Sequence, residues 1–268
     1  MTIDQVRIAG VSLRVPSRDA WAWHEAAAGG WEPETLSVIR DLVSEGDVVI
    51  DVGAYFGLVT VVAAGRGARV HSFEPDPSAR AVLDRTLQLN PEIAAHVIVH
   101  SEALGASNRS AKLSSERLGN SGSSLVRNQP DATDVVVCDA AAALSECGIA
   151  ECSLLKIDVE GAEYEIVPRL LPDLRRFRPS LLLAVHTSYL REPLARFPLP
   201  IRGILYRLRA LPRQAKLILS ARRLGAAYIA EPNSGRWRRL RGLTLLAELM
   251  RVGEKDLLVV GTGADRRA

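Results

Sequence analysis

The chain reads as an α/β protein built on a doubly wound, mostly parallel sheet, and three observations carry that reading. Apolar runs of strand length alternate with segments of helical periodicity from Asp47 onward. The run DVGAYFG at 51–57 follows apolar Val48, Val49 and Ile50 and leads into a further apolar segment, the pattern of strand, tight glycine turn and helix. Polar residues close successive expected strands at Asp51, Glu74, Glu102, Asp158 and His186. Ligands of such sheets bind outside the carboxyl ends of the strands, so these five residues outline a candidate site.

The elements follow in order. Residues 5–15 alternate around Gly10 and predict a hairpin, and 33–43 predicts a helix from Leu36, Ile39, Leu42 and Val43. Residues 47–51 form the first core strand, 58–64 its helix and 69–74 the second strand. A helix over 77–89 opens on Pro77 and Ser78, and 97–100 is a third strand. A polar, glycine- and serine-rich stretch at 105–131 interrupts the rhythm. A short strand at 135–138 and a helix at 140–147 resume it. Residues 154–157 are a strand, 162–171 a helix and 181–185 a fully apolar strand. Basic helical segments, a short strand at 227–229 and a last strand at 257–260 complete the pattern, with right-handed crossovers throughout. The expected division is an extension of hairpin and helix at 1–46, a core at 47–201, and a basic segment with the closing strands of the same sheet at 202–268.

With 268 residues and an apolar share of 47%, the chain can bury a core of its own. Cys138, Cys147 and Cys152 are odd in number and lack C-x-x-C spacing, which argues against a disulfide framework or a zinc site and for a reducing compartment. No metal is expected. The first nine residues hold Asp4 and Arg7 and no apolar h-region, and no run approaches ~18 apolar residues, so a cytoplasmic location is expected.

The net charge of +3 conceals an asymmetry. Residues 1–201 hold 19 Lys and Arg against 26 Asp and Glu, whereas 202–251 hold 12 against Glu231 and Glu248 alone. A basic block beside an acidic body points to an anionic substrate or to contact of 202–251 with an anionic membrane surface, or else to a solvated face. The block concentrates at Arg222, Arg223, Arg236, Arg238, Arg239 and Arg241, beside apolar 217–219 and 243–246. Aromatic residues for base stacking are almost absent, and no N/D-P-P-Y/F motif follows the fourth strand, so nucleic acid is not an expected partner.

Glu74 ends the second strand 23 residues after Asp51, where a carboxylate can accept from both hydroxyls of a ribose. The glycine spacing is G-x-x-x-G, without the third glycine of a dinucleotide fingerprint. An acid directly before the turn suits a ligand with a cationic amino-acid end, as S-adenosylmethionine has. The alternatives are a nicotinamide-dependent oxidoreductase, against which the missing third glycine and the absence of a Tyr-x-x-x-Lys pair weigh, and a non-catalytic cofactor-binding module.

The run KIDVEGAE at 156–163, taken with DVGAYFG, FEP at 73–75, EALG at 102–105, GSS at 122–124 and the strand ending in His186, resembles the FkbM-type family of S-adenosylmethionine-dependent methyltransferases. The resemblance spans 48–186. It implies the class I methyltransferase fold, a Rossmann-like sheet of seven strands with an antiparallel last strand, and commonly O-methylation of a small molecule or sugar, as in natural-product or glycan modification. It places Asp51 and Gly53 at the methionine end of the cofactor, Glu74 on the ribose, and Glu102 and Ala103 beside the adenine, with Gly57 also expected at the cofactor. Asp158 falls near the transferring methyl. Tyr55, also at the cofactor, stands where the family often has asparagine. Asp158, Glu160 and His186 are the candidate bases for an acceptor hydroxyl.

Overall fold

Strict alternation makes the first hairpin. In the computed structural model, which describes residues 2–115, 122–126, 130–191, 194, 196–221, 224–231, 234, 236–251 and 253–261, β1 (Ile3–Ile8) and β2 (Val11–Pro16) pair antiparallel, from Ile3 against Pro16 to Ile8 against Val11. Ala9 and Gly10 turn the chain with φ of 48° and 88°, the doubly left-handed turn that matches strand twist. Val6, Ile8, Val11, Leu13 and Val15 all face inward. Helix α1 (Ala20–Ala27), absent from the sequence reading, follows, and then α2 (Pro33–Leu42).

The α/β rhythm then runs β3 (Val48–Val52), α3 (Leu58–Gly65), β4 (Arg69–Phe73), α4 (Pro77–Leu89), α5 (Pro91–Ala94) and β5 (Val97–His100). Asp76 caps α4 by accepting from the Ser78 and Ala79 amides at 2.8 and 3.4 Å. The polar stretch is not a loop throughout. β6 (Ala103–Gly105), β7 (Arg109–Ser115) and β8 (Asp131–Asp139) form a separate three-stranded sheet in the order β6-β8-β7. Serine-rich β7 has little strand propensity of its own and gains its shape from seven paired positions on β8.

The chain continues through α6 (Ala140–Glu146), β9 (Leu154–Ile157), α7 (Glu163–Arg169), α8 (Leu171–Phe177), β10 (Ser180–His186), α9 (Ser188–Arg191) and α10 (Leu199–Ala221). The helix expected at 162–171 breaks at Leu170, ahead of Pro172. β11 (Gly225–Glu231), β12 (Arg236–Leu240), α11 (Gly242–Leu249) and β13 (Glu254–Gly261) close the fold.

The main sheet has the order β12-β11-β13-β10-β9-β3-β4-β5. β10, β9, β3, β4 and β5 run parallel, and the last strand, β13, inserts antiparallel between β10 and β11, as expected. The count corrects the expectation of seven strands: among the described residues the sheet has eight, because β12 adds an antiparallel edge beside β11. Its sequence RWRRL reads as part of a basic helix, but exposed arginines on an edge strand guard it against further pairing.

Side chains leave each central strand on alternate faces and bury both. Ile50, Leu155, Leu181 and Leu257 pack with α6, α7 and α10 on one face, while Val49, Leu154, Leu182 and Leu258 pack with α3, α4 and residues 6–43 on the other. The expected N-terminal extension thus shares a core with the sheet. It also meets the far edge, where Ser37 Oγ accepts from Trp237 Nε1 at 3.1 Å and Glu34 accepts from the Ser234 amide at 2.9 Å.

Trp23 is fully buried with its ring edge-to-face on Phe56, centroids 4.7 Å apart. Trp23→Ala is expected to cost about 3–5 kcal/mol, the range for a large aromatic removed from a core. Urea unfolding should show that loss in one cooperative transition, whereas an extension packed independently would melt in a separate step.

Candidate active site

Two turns at the carboxyl edge of the sheet are tied by one carboxylate. Gly53 follows β3 with φ of 78°, and its amide donates to the Phe73 carbonyl at 2.9 Å. A Cβ at Gly53 would lie 1.8 Å from the Asp158 carbonyl oxygen, so no side chain fits there. Glu74, at the end of β4, accepts from the Tyr55 amide at 2.6 Å and from the Asp76 amide at 2.8 Å. Burial pushes its carboxyl up to about 7 against those two hydrogen bonds.

Lys156 is the one cation at the floor of the site among the described residues. Its Nζ donates to the Gly53 carbonyl at 2.7 Å and lies 3.4 Å from Asp51 Oδ1 and 3.6 Å from Asp158 Oδ2. Burial alone would lower its pKa, but Asp51, Asp158 and Glu32 outweigh that and raise it above the usual lysine range. Asp51, wholly buried, accepts from Thr60 Oγ1 at 2.7 Å.

A second group forms where β9 and β10 end. His186 Nε2 lies 3.6 Å from Asp158 Oδ1 and 3.5 Å from Glu160 Oε1, and its Nδ1 lies 3.6 Å from Glu163 Oε1. Glu163, fully buried, accepts from the His186 amide at 2.7 Å and from the Gly161 amide at 2.8 Å. Glu160 stands at φ 52° and accepts from the Tyr189 hydroxyl. Asp158, Glu160 and His186 bring three metal-capable donors within 4.8 Å of one another. His71, His100 and Cys147 do the same beside the outer strands β4 and β5, with His71 Nδ1 3.2 Å from His100 Nε2. Burial lowers the pKa of both imidazoles, which suits neutral donors.

Between these groups opens a cavity of about 310 Å³. Of the residues expected at the site, Gly53, Tyr55, Glu74, Glu102, Ala103, Asp158 and Glu160 line it. Asp51, Gly57 and His186 do not: Asp51 lies beneath the turn, Gly57 abuts Leu83, and His186, 2% exposed, sits behind the two carboxylates. Sequence reasoning assigned no site role to Trp31, Glu32, Asp76 or Lys156, which also line it. Trp31 stacks on Tyr55 with centroids 6.5 Å apart, and its Nε1 donates to Glu32 at 3.2 Å. Burial and the facing Asp158 raise the pKa of Glu32, opposed by Lys156. An acid in a W-E-P loop before a helix was the available signal, and it also fits a plain helix start.

Residues 51–205 match the FkbM methyltransferase domain. The chain belongs to the FkbM methyltransferase family. S-adenosylmethionine is its cofactor. Among solved structures, an FkbM methyltransferase from Methylobacillus flagellatus is 15% identical with a TM-score of 0.50, over 85% of this chain and 48% of that one. The chain thus spans about half the length of that relative. Fibrillarin from Aeropyrum pernix, solved with S-adenosyl-L-methionine bound, is 12% identical with a TM-score of 0.44, over 96% and 82% of the two chains. No curated protein matches.

The cavity fits the cofactor's charge. Among the described residues, six carboxyl groups, Glu32, Glu74, Asp76, Glu102, Asp158 and Glu160, line it against Lys156, an excess that favours an ammonium and a sulfonium. Val52, Phe73, Ala103 and Leu104 supply an apolar wall for a purine.

Removing the buried ammonium would leave Asp51 without its cation. Lys156→Met should therefore destabilise the fold by about 3–5 kcal/mol. Adding Asp51→Asn to that variant should restore part of the loss in the same denaturant titration.

Proposed function

We propose that this family member transfers the methyl group of S-adenosylmethionine to a hydroxyl of a small molecule or sugar. The observation that carries the reading is the placement of Asp158 and Glu160 on the wall of the acid-lined cavity, with His186 within 3.6 Å of both carboxylates behind them. The cofactor supplies an activated methyl on a cationic sulfur. This chain must hold the acceptor oxygen in line with that methyl, exclude water and remove the hydroxyl proton.

Asp158 and Glu160 face the space where an acceptor would sit, so they are the proposed proton acceptors. His186 and Tyr189 hold them: the imidazole lies against both carboxylates and the phenol donates to Glu160. His186 is thereby a positioning residue, because its burial keeps it from touching the acceptor. For the cofactor, Glu74 is proposed to accept from the ribose hydroxyls through the lone pairs left by Tyr55 and Asp76, Glu102 and Ala103 to flank the adenine, and Gly53 to give close approach. The dinucleotide alternative loses its support with the family match.

The reading is tested with purified protein, cofactor carrying a labelled methyl, and a panel of sugars and phenols. Glu160→Gln should lower turnover by ~10²–10⁴-fold, the range for a lost general base, with unchanged affinity for S-adenosylhomocysteine. Label appearing only on amines or thiols would overturn the hydroxyl assignment.

The raised pKa of Glu74 gives a second expectation. The group is neutral in the free site below about 7 and ionised above it. Hydroxyl donors favour the ionised form, so affinity for S-adenosylhomocysteine should rise with pH up to about 7 and level off beyond it. Calorimetry should show proton release on binding near that pH in the native protein. Glu74→Gln should flatten the profile, and an unchanged profile would remove Glu74 from the ribose.

A further inference from the structure

Helix α10 has two apolar faces, and the sheet needs only one. Tyr206, Ala210, Leu217 and Ile218 are buried, with Tyr206 and Ala210 packed on Leu190 and Leu194. Two hydrogen bonds fix this face, from the Tyr206 hydroxyl to the Met250 carbonyl at 3.2 Å and from Gln214 Nε2 to the Tyr164 hydroxyl at 2.9 Å. Ile201, Ile204, Leu208, Leu211 and Leu219 are 47–68% exposed. At 100° per residue they fall within roughly 80° of one another, on the side opposite the buried face.

The borders of that stripe are cationic. Arg207 on one side and Lys216 on the other are exposed beside it, Arg202 and Arg209 are half-buried on the Lys216 side, and residues 199–221 contain no Asp or Glu. The apolar segments that the sequence set beside the arginines divide differently: Leu217, Ile218 and Leu245 belong to the core, and Arg236–Leu240 is the edge strand β12. Arg222 and Arg223 lie outside the described residues. The outward stripe sits instead at 201–211, with Leu219 one turn beyond the basic border.

We infer that α10 docks on an anionic lipid surface, its outward leucines and isoleucines set into the headgroup boundary and Arg207 and Lys216 at the phosphates. An apolar stripe flanked on both sides by cations, with long aliphatic stems to span the boundary, has the chemistry of an interfacial helix. A second copy of the chain would complement the stripe but not its borders, since two such helices face to face oppose arginine to arginine with no acid on either. An anionic membrane complements both. The contact lies on the surface, because no described helix is long and apolar enough to cross a membrane.

Co-sedimentation with phosphatidylcholine vesicles, with and without phosphatidylglycerol, tests this at low and physiological ionic strength. The native protein should pellet with the anionic vesicles, less so at the higher salt, and on the order of tenfold less with the neutral ones. Ile204→Ser with Leu208→Ser, and separately Arg207→Gln with Lys216→Gln, should each cut that partitioning on the order of tenfold. Thermal melting and affinity for S-adenosylhomocysteine should stay as in the native protein, since all four side chains are exposed. Equal pelleting with both vesicles, or with neither, overturns the inference. So does a solution dimer, seen by sedimentation velocity, that the Ile204→Ser and Leu208→Ser pair dissociates.

Discussion

A buried ammonium holds its charge only if anions or dipoles surround it, and at Lys156 two carboxylates and a carbonyl do so from two strand ends. Asp51 belongs to β3, the Gly53 carbonyl to the turn after it, and Asp158 to the end of β9. One amine therefore locks the glycine turn to the neighbouring strand end, at the point where Gly53 already lies against the Asp158 backbone with no room for a Cβ. Desolvating such a group is expensive, and it is tolerated because two carboxylates and a carbonyl surround it. The rest of the site hangs on this floor: Glu74 fixes the next turn over, and Asp158 presents its second oxygen to His186.

Among the described residues, the walls above that floor carry six carboxyl groups against Lys156. Glu74 is displaced upward by burial, and Glu32 by burial together with the facing Asp158. Both shifts mark carboxyl groups desolvated in one cavity, the pattern that functional sites favour. The same logic separates the two ends of the site. Carboxylates stand over apolar Val52, Phe73 and Leu104 at one end, while His186 and Tyr189 hold Asp158 and Glu160 at the other, the pair proposed to face the acceptor.

The first residues of the chain complete this cavity from outside the sheet. Trp31 and Glu32 reach over Tyr55, and Trp23 wedges against Phe56 in the glycine turn. Helix α2 then braces β12, so the beginning of the chain supports both the glycine turn and the additional edge strand. Residues that read as an appendage are structurally part of the site.

Most of the parallel sheet was legible because its signals are local. Apolar runs of strand length, Pro77 with Ser78 at a helix start, and glycines at left-handed positions each act within a few residues; α4 and β5 fall where the sequence sets them. β7 and β12 were not legible, since a serine-rich and an arginine-rich segment become strands only through partners far along the chain. The site divides the same way. The sequence by itself determined which chemistry sits at the strand ends: acids, a histidine, and a turn that tolerates only glycine. Only the tertiary structure decided which of these face the cavity. It set Asp51 and His186 behind the wall and brought Glu32 into it, and it turned one stripe of α10 outward, because burial and facing depend on what packs above a residue, which no local pattern encodes.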